Sequence, residues 1–99
     1  SDWLLKPSCP RELAFYEATR QLPLLAPLMP PYHGHLDGDL LILGDLTHTM
    51  QQPAVMDIKL GYRIYDVDAT LEKRQRKQLK AIRYTNAALG FRICGVACP

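Results

Sequence analysis

The chain contains 99 residues with a mass of 11.2 kDa, of which 47% are hydrophobic and 22% are charged. This length allows one compact core at most, and the composition excludes collagen-like, mucin-like and fully disordered proteins. No apolar stretch approaches the ~18 residues that a membrane-spanning helix needs, so we expect a soluble chain without a membrane span. Three cysteines, Cys9, Cys94 and Cys98, form neither a zinc-finger pattern nor a disulfide framework. They favour a reducing compartment, and we expect the cytoplasm, the nucleus or both.

The net charge of +2 conceals an uneven distribution along the chain. Residues 1–72 contain 5 Lys or Arg and all 10 Asp and Glu, whereas residues 73–99 contain 7 Lys or Arg and no acidic residue. Such a basic segment indicates an anionic partner, and charge alone allows nucleic acid, a membrane surface or a small phosphorylated ligand. Nucleic acid is disfavoured because Tyr84 is the only aromatic residue that we find beside the basic helix of this segment, and no stacking platform is recognised.

Four elements are predicted in the first half of the chain. They are a strand around Trp3 that ends at Lys6-Pro7, an amphipathic helix over 10–22, an irregular connector over 23–32, and a β-hairpin over 33–43. Pro10 suits a first helical turn, whereas Pro23 ends the helix and begins a segment with four prolines. The hairpin turns around Gly38 and continues into a strand that reads as buried.

The second half predicts a strand, a long helix and a final strand. Residues 55–64 alternate as a strand does, residues 71–84 have helical spacing and are very basic, and residues 91–97 form a further strand. The apolar residues of the helix, Leu71, Leu79 and Ile82, are expected to face the core.

The most specific local pattern is Pro-x-x-x-Asp-x-Lys-x-Gly at Pro53–Gly61. Its four fixed residues meet by chance in fewer than about one chain in a thousand of this length. On a strand, Asp57 and Lys59 project from one face, while Met56 and Ile58 turn to the other, which we expect to be core. A carboxylate that accepts a proton from a hydroxyl, beside an ammonium that holds an anion, suits phosphoryl transfer to an alcohol. The alternative is an exposed salt bridge on a two-faced strand.

The basic helix places Lys73, Arg76 and Lys80 along one face, with Arg74, Lys77 and Arg83 on the adjacent sides. Like charges at this spacing destabilise a helix unless an anion offsets their repulsion. Several phosphates on one small ligand would do so through charge-assisted hydrogen bonds. A basic helix that is merely solvated is the alternative.

Further segments accompany the Pro53–Gly61 pattern in order along the chain. They are Leu5-Lys6-Pro7, Pro10-Arg11-Glu12, Phe15-Tyr16-Glu17, Pro31-Tyr32-His33-Gly34, Asp45-Leu46-Thr47 and Leu89-Gly90-Phe91-Arg92-Ile93-Cys94-Gly95. Together they resemble the inositol polyphosphate kinase family, most closely its multikinase and inositol hexakisphosphate kinase branches. The resemblance implies an α+β fold, with a kinase-like N-terminal antiparallel β lobe and hinge over residues 1–46. Residues 47–99 would hold the signature strand, the basic substrate helix and the following strand, and the C-terminal lobe would be missing.

The resemblance also implies how nucleotide is bound. Lys6 would hold the α- and β-phosphates of ATP, and Glu12 or Glu17 on the next helix would orient it. Gly44-Asp45-Leu46 resembles the hinge, in which backbone groups of Gly44 and Leu46 bind adenine and the Asp45 carboxylate accepts from ribose hydroxyls.

For the second substrate, the resemblance implies that Asp57 orients or deprotonates the attacking hydroxyl. Lys59 would stabilise the transferring phosphoryl group or a substrate phosphate. The helix residues Lys73, Arg76 and Lys80 would grip the inositol polyphosphate, whereas Arg92 is interpreted as a packing or surface arginine.

The family's magnesium-binding aspartate lies in its C-terminal lobe, and this sequence has no Asp or Glu after Glu72. We therefore expect the ligand for Mg²⁺ outside this chain, with the rest of the kinase fold or another chain as a partner. One hypothesis is that the chain is part of an ATP-dependent inositol polyphosphate kinase. The alternative is a catalytically inactive kinase-like module that binds polyphosphate or serves as a structural component of a larger assembly. Retention of Lys6, Asp45, Asp57 and Lys59 favours the enzyme.

Overall fold

The computed structural model describes residues 2–99, which divide into two compact units between Gln51 and Gln52. Each unit combines an antiparallel sheet with helices, which confirms the predicted α+β class. Among the described residues, no helix has both the length and the apolar character that crossing a bilayer requires.

The first unit is a three-stranded antiparallel sheet with one helix. Its elements are β1 (Trp3–Pro7), α1 (Pro10–Thr19), β2 (Tyr32–Leu36) and β3 (Leu40–Gly44), and the strand order is β1-β3-β2. The hairpin of β2 and β3 turns at Gly38, where a φ of 70° is readily adopted by glycine. Leu41 and Leu43 lie on the central strand and are 0% and 5% exposed, so the prediction of a buried strand is confirmed.

Two details of the first unit differ from the sequence-based expectation. Helix α1 ends at Thr19, three residues early, because the chain tightens into a turn in which the amide of Leu22 donates to the carbonyl of Thr19 at 3.0 Å. A residue before proline disfavours helical geometry, which accounts for the break ahead of Pro23. The connector also contains one short 3₁₀ helix at Ala26–Leu28, with proline in its first turn, where the missing N–H costs nothing.

The second unit pairs two antiparallel strands and adds two helices. Its elements are β4 (Val55–Leu60), α2 (Leu71–Arg83), α3 (Asn86–Leu89) and β5 (Phe91–Ala97). The side chain of Thr70 caps α2 by accepting from the amide of Lys73 at 3.2 Å. Strand β4 ends four residues earlier than expected because Gly61 adopts a φ of 110°, which leaves the extended region. The predicted helix and final strand are confirmed.

The expected core of the second unit is wrong in one respect. Leu71, Leu79 and Ile82 are 72%, 69% and 70% exposed, and on α2 it is Ala81 that is buried. Helix α2 packs against α3, which has four residues and is too short to cover an apolar stripe of three turns. The other face of β4 is likewise open, because Met56 and Ile58 are 53% and 45% exposed.

Candidate functional site

Lys6 is oriented by a carboxylate of α1. Its Nζ lies 2.5 Å from Oε1 of Glu12, whose Oε2 accepts from the hydroxyl of Ser8 at 2.6 Å. These two hydrogen bonds hold the pKa of Glu12 below its usual value, and the bond to Glu12 raises the pKa of Lys6. The other candidate, Glu17, accepts from the hydroxyl of Tyr32 at 2.5 Å. Of the two candidates, Glu12 is therefore the carboxylate that pairs with Lys6.

The hinge-like segment begins at Gly44, the last residue of β3. The amide of Gly44 donates to the carbonyl of Pro31 at 2.7 Å, and a Cβ at Gly44 would lie 2.9 Å from Cδ of the Pro31 ring. Glycine is thus required there by the close approach of Pro31. The amide of Gly44 is therefore already occupied by Pro31 and is not available to a ligand.

Asp45 forms a local turn with Thr47. Its Oδ1 accepts from the amide of Thr47 at 2.9 Å and from the hydroxyl of Thr47 at 2.7 Å. These bonds, the one to the Thr47 hydroxyl first, lower the pKa of Asp45 and keep its side chain in a fixed conformation. Leu46, the third residue of the segment, is 62% exposed.

Asp57 and Lys59 lie on one exposed face of β4, as the sequence predicts. Opposite them on β5 are Gly95 and Arg92, and the register shifts by one residue between these two pairs, at Cys94. The extra residue is a β-bulge on β5, a feature that twists a strand pair locally and recurs beside active sites. Residues directly opposite one another share a face, so this face carries Asp57, Lys59 and Arg92.

Asn86 holds the end of β4 in place, a role that the sequence analysis missed. It is 0% exposed, and its Nδ2 donates to the carbonyls of Lys59 at 3.3 Å and Gly61 at 2.9 Å. The amide of Gly61 in turn donates to the carbonyl of Gly90 at 2.7 Å. These residues are more than 20 positions apart in sequence, and no local pattern marks Asn86 for this contact.

The cations of α2 share an electrostatic environment with β4. The pKa of Lys77 is lowered by partial burial and by the positive charges of Lys80, Lys59, Lys73 and Arg76. Lys77 is therefore a member of the basic face, defined as these five residues, although the sequence had placed it at one side. The influence of the Lys59 charge on Lys77 depends on the tertiary structure, which spacing along one helix does not reveal.

A depression of about 380 Å³ runs along the C-terminal half of α2. It is lined by Arg76, Lys77, Leu79, Lys80, Arg83 and Tyr84. Two of the three predicted phosphate-binding residues, Arg76 and Lys80, thus line one cavity, and Lys73 lies one turn before them. Leu79, which is 69% exposed, contributes an apolar side chain to this lining.

Arg74 has a structural role instead. Its Nη2 donates to the carbonyl of Val67 at 2.7 Å and its Nε to the carbonyl of Ala69 at 3.1 Å, so that it ties the preceding loop to α2. It also lies 5.5 Å from the ring of Tyr65.

Within residues 2–99, no group of three or more His, Cys, Asp or Glu side chains is placed to hold a metal ion. Mg²⁺ commonly takes only one or two carboxylates together with substrate phosphates and water, so this finding assigns it no ligand among residues 2–99.

The known proteins that this chain resembles are inositol phosphate kinases. A family model described as inositol polyphosphate kinase matches residues 40–98. Over 79 residues the chain is 37% identical to inositol polyphosphate multikinase of Schizosaccharomyces pombe. This match covers 80% of the chain and 30% of the relative. Inositol hexakisphosphate kinase 1 of Rattus norvegicus is 39% identical over 56 residues, or 57% of this chain and 13% of the relative.

A solved structure matches almost the whole chain. The crystal structure of the inositol phosphate multikinase of Saccharomyces cerevisiae, in complex with ADP and Mn²⁺, superposes with a TM-score of 0.88 at 40% identity. The match covers 97% of this chain and 38% of that one, so the chain spans little more than a third of its relative. The fold is thus an α+β part of a kinase-like domain. The chain belongs to the inositol polyphosphate kinase family.

Proposed function

We propose that the full-length protein transfers the γ-phosphoryl group of ATP to a hydroxyl of an inositol polyphosphate. The observation that carries this proposal is the exposed face of β4 that Asp57 and Lys59 share. The same unit contains the basic helix α2, on which the charge of Lys59 helps to lower the pKa of Lys77. The names of the relatives support the substrate class, and the bound ADP of the yeast structure supports the use of nucleotide.

The first unit would bind ATP. Lys6, held by Glu12, would place its ammonium against the α- and β-phosphates. The carbonyl of Gly44 and the amide of Leu46 would bind adenine through its polar edge. Because both hydrogen bonds from Thr47 fall on Oδ1 of Asp45, we assign Oδ2 to the ribose hydroxyls. These groups fit a nucleotide, since each offers a donor or acceptor of the required kind.

The second unit would carry the chemistry on the inositol phosphate. Asp57 would accept the proton of the attacking hydroxyl as the hydroxyl oxygen bonds to the γ-phosphorus and the bond from that phosphorus to the leaving oxygen of ADP breaks. Lys59 would offset the negative charge of the phosphoryl group in transfer. Both side chains project from one strand, so a single substrate can meet them together.

The basic face would bind the phosphates of the substrate that do not react. Lys73, Arg76, Lys77 and Lys80 repel one another, and the phosphates of one ligand would relieve that repulsion. Charge-assisted hydrogen bonds of ~1.5–3 kcal/mol each would then give a polyphosphate a much higher affinity than its neutral analogue. The Mg²⁺ ligands expected outside these residues, the cytoplasmic or nuclear location, and the division at residue 46 stay predictions.

The proposal is tested by incubating the full-length protein with ATP, magnesium and an inositol tris- or tetrakisphosphate, and by following more highly phosphorylated products. Turnover that is lost in Asp57→Asn supports the kinase. Polyphosphate binding without turnover, weakened by Lys73→Ala and Lys80→Ala, would instead support the inactive binding module. Absence of both turnover and binding would contradict both functions.

A further inference from the structure

Arg92 occupies a position that the proposed chemistry leaves unused. It lies directly opposite Lys59 in the β4–β5 register, so the two side chains project from the face that also carries Asp57. Like charges directly opposite in an antiparallel pair are destabilising. A guanidinium at this place therefore calls for a compensating anion.

The contacts of Arg92 hold its guanidinium in place but leave part of its hydrogen-bonding capacity unused. Its Cζ lies 4.8 Å from the ring centre of Tyr84, which caps the C-terminal end of α2. Tyr84 also lines the depression that contains Arg76 and Lys80. Nη2 donates to Sγ of Cys94 at 3.4 Å, a weak acceptor, and the buried Nε has no hydrogen-bond partner among residues 2–99. Stacking on an aromatic ring uses the flat side of a guanidinium and leaves the N–H groups at its edge available.

We propose that Arg92 is a further substrate-binding residue, whose guanidinium takes one phosphate of the inositol polyphosphate beside Lys59. The inference rests on the proposed function for the identity of the ligand. The planar fork of arginine matches two oxygens of one phosphate, so Arg92 adds a second residue of the sheet, beside Lys59, to the basic face. A more highly phosphorylated inositol then has an additional partner.

The test measures binding without nucleotide, so that it does not depend on turnover. Inositol tetrakisphosphate is titrated into the full-length protein, into Arg92→Gln and into Arg63→Gln, at several salt concentrations. Arg63 is the matched control because its Cζ lies 5.4 Å from the ring centre of Tyr65, the same kind of stacking at a residue outside the β4–β5 pairing. Arg92→Gln is expected to raise Kd by about 10- to 100-fold and to reduce its salt dependence, with Arg63→Gln unchanged.

A second measurement needs no variant and covers the case in which Arg92→Gln fails to fold. Inositol tetrakisphosphate is expected to slow alkylation of Cys94, whose sulfur contacts Arg92, and to leave Cys9 and Cys98 unaffected. An unchanged Kd for Arg92→Gln, an equal loss in Arg63→Gln, or alkylation of Cys94 at the same rate with and without ligand would overturn the inference. Binding through Arg92 in a protein that shows no turnover would uphold it while the proposed enzyme activity fails.

Discussion

The ammonium of Lys6 and the carboxylate of Glu12 lie 2.5 Å apart, across the loop that joins β1 to α1. Ser8, in that loop, donates to the second oxygen of the same carboxylate. Glu12 is thereby fixed on both oxygens and can hold Lys6 in one orientation. This pair connects the fold of the first unit to its proposed role in ATP binding.

Glu12→Gln is expected to raise the KM for ATP by about 5- to 50-fold, because Lys6 loses the charged partner that orients it. Glu17→Gln is the control, since Glu17 lies on the same helix and accepts instead from Tyr32. Steady-state kinetics of the full-length protein with varied ATP measure both. Equal KM values for the two variants would contradict the assignment of Glu12.

The same pair predicts how stability depends on pH. The pKa of Glu12 is held below 4.5 by the bonds from Lys6 and Ser8, and the pKa of Lys6 is raised above 10.5 by Glu12. The carboxylate therefore contributes its full stability above about pH 4.5 and loses it as the pH falls through the lower folded-state pKa. The contribution of Lys6 is complete below pH 10.5 and is lost as the pH rises through its higher folded-state pKa.

We expect the melting temperature to fall more steeply below pH 4.5 in the unaltered protein than in Glu12→Gln, which has no carboxylate to protonate there. Asp45, whose pKa is also lowered, is present in both and cancels. Thermal unfolding followed from pH 7 to pH 3 measures the difference. Parallel curves would show that the pair carries no pH-dependent stability.

Asn86→Ala is expected to destabilise the second unit by about 2–4 kcal/mol, because it removes the donor for two carbonyls and leaves a buried gap. Asn86→Asp keeps the shape but replaces the donor by an acceptor, so it should be equally harmful. Gln78→Ala, at an exposed position of α2, is the control. Amide hydrogen exchange in β4 and thermal unfolding report the effect, and a loss no larger than that of Gln78→Ala would refute the role.

Gly44→Ala is expected to lower the stability of the first unit by about 1–3 kcal/mol, since the new Cβ would lie within 3.2 Å of three atoms of the Pro31 ring. Gly95→Ala provides a matched control on β5, where a Cβ meets nothing within 4 Å among the described residues. Thermal unfolding distinguishes the two. Equal melting temperatures would mean that the Pro31 ring moves aside without loss of stability.

Local patterns predicted most elements of both units. The prolines, the turn at Gly38 and the alternation of β4 act over a few residues, and a sequence displays such signals directly. The sequence could not decide whether Glu12 or Glu17 pairs with Lys6, because the outcome depends on Tyr32 approaching α1 from β2. The clamp by Asn86 was also invisible, since it joins residues 25 and 27 positions apart.

The exposure of Leu79 could not be predicted for a related reason. Helical spacing shows which residues share a stripe, but the element that covers the stripe is a property of the tertiary structure. Here the neighbour of α2 in its unit is the short α3. The lowering of the pKa of Lys77 by the charge of Lys59 has the same origin, since it also depends on the tertiary structure.

The central claim is that Asp57 takes part in phosphoryl transfer itself. Its most direct test is the single-turnover rate of Asp57→Asn with saturating ATP, magnesium and inositol tetrakisphosphate, with binding of both ligands verified separately. The account predicts a rate about 10²- to 10⁴-fold below that of the unaltered protein, with affinity for both ligands retained, because the hydroxyl loses its proton acceptor. An unchanged single-turnover rate would contradict it.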